Sequence, residues 1–230
     1  IIDEVAGHIE AVTFSSRGEP LLNENLPAML NYCEDKFLGL KLNTNASLLT
    51  ESNIHTLLSS HLQTLVFSID AAEKESYETI RVNSNFEKLI ENLELFSKIR
   101  MKHYNDSKLI VRISGVKIND DQDIDKMNVI WSRYADIIAF TNYTPWENSY
   151  DNKQNQITTP CSELWLRMFV WWDGKINPCD FDYKSTLSNS TFPDSGISEA
   201  WNSKWFQALR QKHLAEKRGY LEPCKRCIAT

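Results

Sequence analysis

Two runs decide the fold of this chain: Leu38-Gly39-Leu40-Lys41-Leu42-Asn43 and Thr64-Leu65-Val66-Phe67-Ser68-Ile69. Both are short and apolar, the length of a buried strand. Between them stands Thr50, with Glu51 and Asn53 close behind, a hydroxyl suited to cap a helix that begins there. A strand, a helix and a second strand make a crossover unit, which lays the two strands parallel in one sheet.

The same pattern continues on both sides. Upstream, residues 9–15 read as strand and 24–37 as helix. Downstream, residues 85–103 carry Phe86, Leu89, Ile90, Leu93 and Phe96 at helical spacing. Residues 109–116 and 137–141 read as strands, with a helix over 124–134 between them. Five strands with intervening helices imply an α/β fold with a parallel sheet. Function in such sheets gathers at the C-terminal strand ends.

After residue 142 the pattern changes. Residues 143–160 are polar, contain Pro145 and Pro160, and read as a linker or covering loop. Residues 164–171 and 175–178 flank Trp172-Asp173-Gly174, a hairpin with Asp-Gly at its turn. Residues 198–217 read as one helix, and Pro223 introduces a final cysteine pair. The expected domains are therefore 1–142, a linker over 143–160, and 161–230.

Bulk properties narrow the possibilities. With 230 residues and 42% hydrophobic content, the chain can bury one core plus a small appended module. A net charge of −6 argues against a nucleic-acid partner or an anionic membrane surface. No apolar run approaches the roughly 20 residues that span a bilayer. The opening Ile1-Ile2-Asp3-Glu4 is not a signal peptide. A cytoplasmic protein is expected, with further residues upstream, since no initiator methionine is present.

Of the five cysteines, Cys33 stands alone in a helical stretch and reads as a small buried hydrophobe. Cys161, Cys179, Cys224 and Cys227 all lie in the last third. Twelve residues separate Cys161 from Gly174, four separate Gly174 from Cys179, and two separate Cys224 from Cys227. Folding the hairpin brings the first pair together. Four soft thiolates suit either a tetrahedral zinc ion or a four-iron cluster. The five histidines are scattered, and none is assigned to a metal. Trp165, Trp171 and Trp172 read as packing around the cysteine module, while Trp146 in the crossing loop is the candidate substrate contact.

The strand ends carry a family resemblance. Ser15-Ser16-Arg17-Gly18-Glu19-Pro20 resembles the Gly-Gly-Glu-Pro motif of radical S-adenosylmethionine (SAM) enzymes. Asn43-Thr44-Asn45-Ala46 resembles their Thr-Asn-Gly signature. Ser68-Ile69-Asp70, with Tyr77 and Ile80-Arg81 downstream, resembles their Ser-Ile-Asp…Tyr…Ile-Arg segment. The cysteine spacing resembles their SPASM or twitch extension. Arg17 and Ala46 stand where the family has glycine.

The resemblance implies a partial (β/α)6 TIM-like barrel lacking its first strand, followed by a small SPASM/twitch module. It implies SAM as cofactor, with the Gly18-Glu19 backbone at the methionyl ammonium, Ser68 near the carboxylate and Asp70 or Asn45 near the ribose. Arg112 and Ser114 would reach SAM from the fifth strand of that barrel. Cys161, Cys179, Cys224 and Cys227 would hold an auxiliary [4Fe–4S] cluster. The catalytic [4Fe–4S] cluster needs a Cys-x-x-x-Cys-x-x-Cys that these residues do not contain, so it is expected on an N-terminal segment and no catalytic residue is assigned here. The chain alone is then expected to be inactive. A peptide or small-molecule substrate and an external electron donor such as flavodoxin or ferredoxin complete the implied partners. The rival is a non-catalytic binding module with a structural zinc site.

Overall fold

A computed structural model describes residues 1–119, 122–143 and 149–228. Trp146 lies outside the described residues. Two compact units emerge: Ala6–Tyr143, and Ile1–Val5 joined by the chain beyond Tyr143. The short helix α1 (Ile2–Val5) thus belongs with the C-terminal part, where the Glu4 carboxylate accepts the Ile197 N–H at 2.6 Å.

The first unit is the expected α/β sheet. Strands β1 (Ala11–Phe14), β2 (Gly39–Thr44), β3 (Thr64–Ser68), β4 (Ile110–Lys117) and β5 (Ile137–Asn142) pair in that order, all parallel. The connections carry α2 (Leu26–Tyr32), α3 (Glu51–Ser59), α4 (Lys74–Ile80), α5 (Phe86–His103) and α6 (Ile124–Trp131). Thr50 caps α3 by accepting the Asn53 N–H, and Asn85 caps α5 by accepting the Lys88 N–H. The helix foreseen over 24–37 is shorter, because Pro20–Leu22 forms a 3-10 turn and α2 stops at Tyr32.

Register assigns the two faces of the sheet. Leu42, Leu65 and Val111 are aligned partners, as are Thr44, Phe67 and Ile113, and all six are 2% exposed or less. This side is packed by helices, with Phe67 edge-on to Phe96 of α5 at 5.1 Å. The opposite side alternates out of phase and sets Lys41, Asn43, Ser68, Arg112, Ser114 and Thr141 among apolar residues such as Val66, Val116 and Ala139. Parallel sheets are usually apolar on both faces. A partly polar, partly open face is therefore a place for something other than protein core.

The second unit contains α7 (Glu163–Leu166), strands β6 (Phe169–Val170), β7 (Lys175–Asn177) and β8 (Ser190–Thr191), helices α8 (Ile197–Asn202) and α9 (Lys204–Leu214), and a 3-10 turn at Arg218–Tyr220. The three strands are antiparallel. Gly174 turns the β6–β7 hairpin with φ +82°, and a Cβ there would strike the Phe192 carbonyl oxygen. Two sequence expectations change. The strand read over 164–171 begins as the helical turn α7, and the helix read over 198–217 breaks at Ser203. That serine leaves α8 in extended conformation, and its hydroxyl accepts the Phe206 N–H to start α9. Among the described residues, no helix is long and apolar enough to cross a membrane.

Candidate functional site

The polar face of the sheet holds a cavity of about 230 Å³. Ser68 on β3, Arg112 and Ser114 on β4, and Thr141 on β5 line it, with Asp70 and Arg81 from the segment after β3. Four residues singled out in the sequence (Ser68, Asp70, Arg112 and Ser114) therefore meet in one cavity. Arg112 contributes a buried Nε with no hydrogen-bond partner among the described residues, and the buried Asn43 Oδ1, two strands away in the same row, is likewise without one. Buried polar atoms ordinarily find partners, so such orphans point to a ligand with complementary groups.

Asp70 is already engaged. One carboxylate oxygen accepts the Val116 N–H at 2.9 Å, and the other pairs with Arg81 Nη2 at 2.7 Å. Its carboxylate joins the β3 and β4 exits and aims Arg81. Gln122 extends the same knot, donating to the Asp70 and Val116 carbonyls and accepting from the Ile118 and Asn119 N–H groups. Neither Arg81, Thr141 nor Gln122 was assigned to the site from sequence. Arg81 had a signal, since it closes the Ile-Arg motif; Gln122 had none.

Gly18, Glu19 and Asn45 lie at the exits of β1 and β2 rather than among the cavity residues. The Glu19 carboxylate accepts the Thr44 hydroxyl at 2.6 Å, the Asn45 N–H at 2.8 Å and the Leu21 N–H at 3.1 Å. It fixes the two loop motifs to each other. Asn45 turns its own side chain back to the Ser47 N–H at 2.8 Å, and Asn92 of α5 holds the Ala46 carbonyl. Ala46 is left-handed, φ +62°, a conformation that glycine adopts without strain. Gly18 has φ +117°.

The second unit gathers the thiols. Burial pushes the Cys179 thiol far above its ordinary range, the Phe181 N–H on its sulfur (3.3 Å) opposes this, and the charges of Cys224, Cys227 and Cys161 raise it further. Cys224 is pushed up to about 12, first by burial, with Arg218 opposing and Cys227, Cys161 and Asp182 adding. The four sulfurs thus share one electrostatic neighbourhood, while Cys33 sits buried in the other unit at the end of α2. Among the described residues, no three His, Cys, Asp or Glu side chains are drawn in around a single metal ion. Trp171 is nearly buried and Trp172 fully exposed, so the two adjacent rings do different things.

Polar fixings surround these cysteines. His213, 1% exposed, accepts the Cys161 N–H on Nδ1 at 3.2 Å, and burial, aided by Arg218, lowers its pKa to about 4. The imidazole is neutral, with its proton on Nε2. Asp182, fully buried, receives the Leu187 N–H at 2.7 Å, the Thr186 N–H at 2.9 Å and the Tyr150 hydroxyl. Burial and the hydrogen bond to Asp182 raise the pKa of Tyr150. The donor set of four thiols, with the buried Arg218 cation, the His213 imidazole and the Asp182 carboxylate around it, fits an iron–sulfur cluster, whose ligands are thiolates set by such surrounding groups.

Comparison with known proteins bears on the fold and on the C-terminal part of the chain. Residues 161–228 match the SPASM family, described as an iron-sulfur cluster-binding domain. The chain is 33% identical over 98 residues to the AdoMet-dependent heme synthase of Methanosarcina barkeri, covering 42% of this chain and 28% of that protein. It spans well under half the length of the curated relatives it matches. Its fold resembles BtrN in complex with AdoMet and 2-DOIA (16% identity, 100% of this chain, 77% of that one, TM-score 0.59). It also resembles Streptococcus suis SuiB bound to S-adenosylmethionine (14% identity, 91% and 59%, TM-score 0.63). Residues 161–228 thus match an iron-sulfur cluster-binding domain family, and the chain as a whole shares the fold of BtrN and SuiB.

Proposed function

We propose that the chain is the SAM-binding sheet and auxiliary-cluster module of a radical SAM oxidoreductase or maturase. What supports this is that all four of Cys161, Cys179, Cys224 and Cys227 lie in the SPASM-matching residues, and that Cys161, Cys224 and Cys227 all act electrostatically on Cys179. These four would hold an auxiliary [4Fe–4S] cluster, of the twitch type if four cysteines are its complete ligand set. When SAM and a reduced catalytic cluster are bound, SAM cleavage supplies a 5′-deoxyadenosyl radical that removes a hydrogen from the substrate.

The residues of this chain bind and orient. Ser68, Arg112 and Ser114 would receive the methionyl carboxylate, Arg112 with its orphaned Nε providing the positive charge. Arg81, aimed by Asp70, would take the neighbouring polar edge of the ligand. The backbone at Gly18-Glu19 would meet the ammonium, with Glu19 keeping the β1 and β2 loops in register for it. Asp70 and Asn45 would serve the ribose through the loops they brace. The catalytic cluster needs a cysteine triplet that these 230 residues do not supply. The substrate is a peptide or small molecule, in keeping with SuiB bound to precursor peptide SuiA and BtrN bound to 2-DOIA. A flavodoxin or ferredoxin supplies electrons, and the cytoplasm keeps the thiols reduced.

Anaerobic reconstitution tests the reading. We expect a brown protein with about four irons and matching sulfide per chain, the content of one cubane. Deoxyadenosine should form under dithionite only when a cysteine triplet is supplied on an N-terminal extension. A colourless protein holding zinc would favour a structural Cys₄ site and sink the enzyme reading.

A further inference from the structure

We infer that Arg218 is a positioning residue for the cysteine site, tying the chain that leads into Cys161 to the chain at Cys227 and setting a buried positive charge beside the thiols. The inference rests on the auxiliary-cluster reading and adds a determinant of the cluster's potential to it.

Arg218 opens the 3-10 turn after α9 and is only 1% exposed. Its Nη1 donates to the Thr159 carbonyl at 3.0 Å, and its Nη2 donates to the Cys227 carbonyl at 3.1 Å. Thr159 stands two residues before Cys161. One planar guanidinium therefore bridges segments that are 59 and 9 residues away from it along the chain. A lysine ammonium is a point donor on a flexible stem and lacks this fork. Cys161 is held from a second side as well, by its N–H to His213. The hydrogen bond to the Cys227 carbonyl sets the guanidinium against the backbone of the Cys224-x-x-Cys227 pair.

Charge here has a redox consequence. A cubane with four thiolate ligands is anionic, and one-electron reduction adds a further negative charge. A fixed cation in a poorly solvated pocket favours the reduced form and so raises the potential, since net charge and exposure are among the protein's means of setting it. Arg210 provides the internal contrast. It is also buried, but its Nε and Nη1 donate to the Leu164 and Trp201 carbonyls at 2.9 Å, and its plane lies over the Trp201 ring. Its hydrogen bonds go to no cysteine.

The experiment uses the whole chain, reconstituted with iron and sulfide and titrated with dithionite while the cluster is followed by electron paramagnetic resonance. R218Q should shift the midpoint to a more negative value and lose iron to a chelator several-fold faster than the native protein. R218K, which keeps the charge and lacks the fork, should hold a near-native potential while losing iron faster. R210Q should leave the potential near native. An unmoved potential in R218Q, or an equal shift in R210Q, overturns the inference. Should R218Q retain no cluster, R218K decides: near-native potential with faster iron loss supports it, and a shifted potential or native iron retention overturns it. Zinc in place of iron in the native protein would instead defeat the cluster reading itself, a separate failure.

Discussion

In the unit of residues 6–143, alternate residues of the central strands vanish beneath helices: Leu40, Leu42, Leu65, Phe67, Val111 and Ile113 are 2% exposed or less. In the C-terminal unit the fully buried side chains include Arg218, Asp182, Asn177 and His213, and one apolar cluster there consists of only Leu187, Leu209 and Leu221, with Cys224 against it. Burying a leucine or phenylalanine contributes about 1.5–3 kcal/mol. A buried arginine or aspartate contributes only if every donor and acceptor is met, and costs stability otherwise. The sheet can stand on apolar burial. The smaller unit adds directed bonds and whatever its thiols hold to a small apolar core that includes Leu164, Ile176, Phe206 and Leu209, which ties much of its order to its cofactor.

The largest expected effect tests that dependence directly. Cys224→Ala, in reconstituted protein, should abolish cluster retention and let the C-terminal unit lose its protection from hydrogen exchange, while the sheet amides stay protected. Phe96→Ala should do the reverse, destabilising the sheet by about 3–5 kcal/mol with iron content intact. Equal loss of protection in both units for either variant would mean that they share one source of stability.

A smaller effect follows from His213. Its folded-state pKa, about 4, lies below the ordinary value of 6.5. Between those values the unfolded chain binds the proton that the folded chain refuses. The stabilisation from the neutral imidazole is therefore complete above pH 6.5 and is lost as pH falls towards 4. Its upper magnitude is about 3 kcal/mol. Denaturant midpoints of the C-terminal unit in the reconstituted protein, measured between pH 7 and 5, should fall more in the native protein than in His213→Gln. Parallel slopes would remove His213 from the account.

The contrast between the units also governs what could be read from residues alone. Strands and capped helices of the sheet announce themselves, because apolar periodicity and residues such as Thr50 and Asn85 carry local signals. The cysteine spacing is equally local. Arg218, His213 and Gln122 escaped notice because burial of a polar residue is decided by tertiary contacts, such as a carbonyl 59 residues away. The break at Ser203 was hidden for a related reason: a serine inside a helical pattern is silent until its hydroxyl caps the next helix. Ser190–Thr191 is too short a strand to leave a periodic trace.

The smallest effect concerns two adjacent tryptophans that residue type alone treats alike. Trp171 is 9% exposed, stacks on Phe169 with ring centroids 5.9 Å apart, and donates its backbone N–H to the Lys175 carbonyl at 2.9 Å. Trp172 is 92% exposed. Trp172 stands in the turn beyond β6, so its ring leaves the hairpin for solvent while the Trp171 ring is committed to the module. An exposed side chain away from caps and cores contributes within about 0.5 kcal/mol. Trp172→Ala should therefore leave iron content, cluster potential and the unfolding midpoint unchanged, whereas Trp171→Ala should lower the midpoint of the C-terminal unit alone. If Trp172→Ala proves as costly as Trp171→Ala, the hairpin tip is covered in solution, and the unit's stability extends beyond its own polar fixings and thiols.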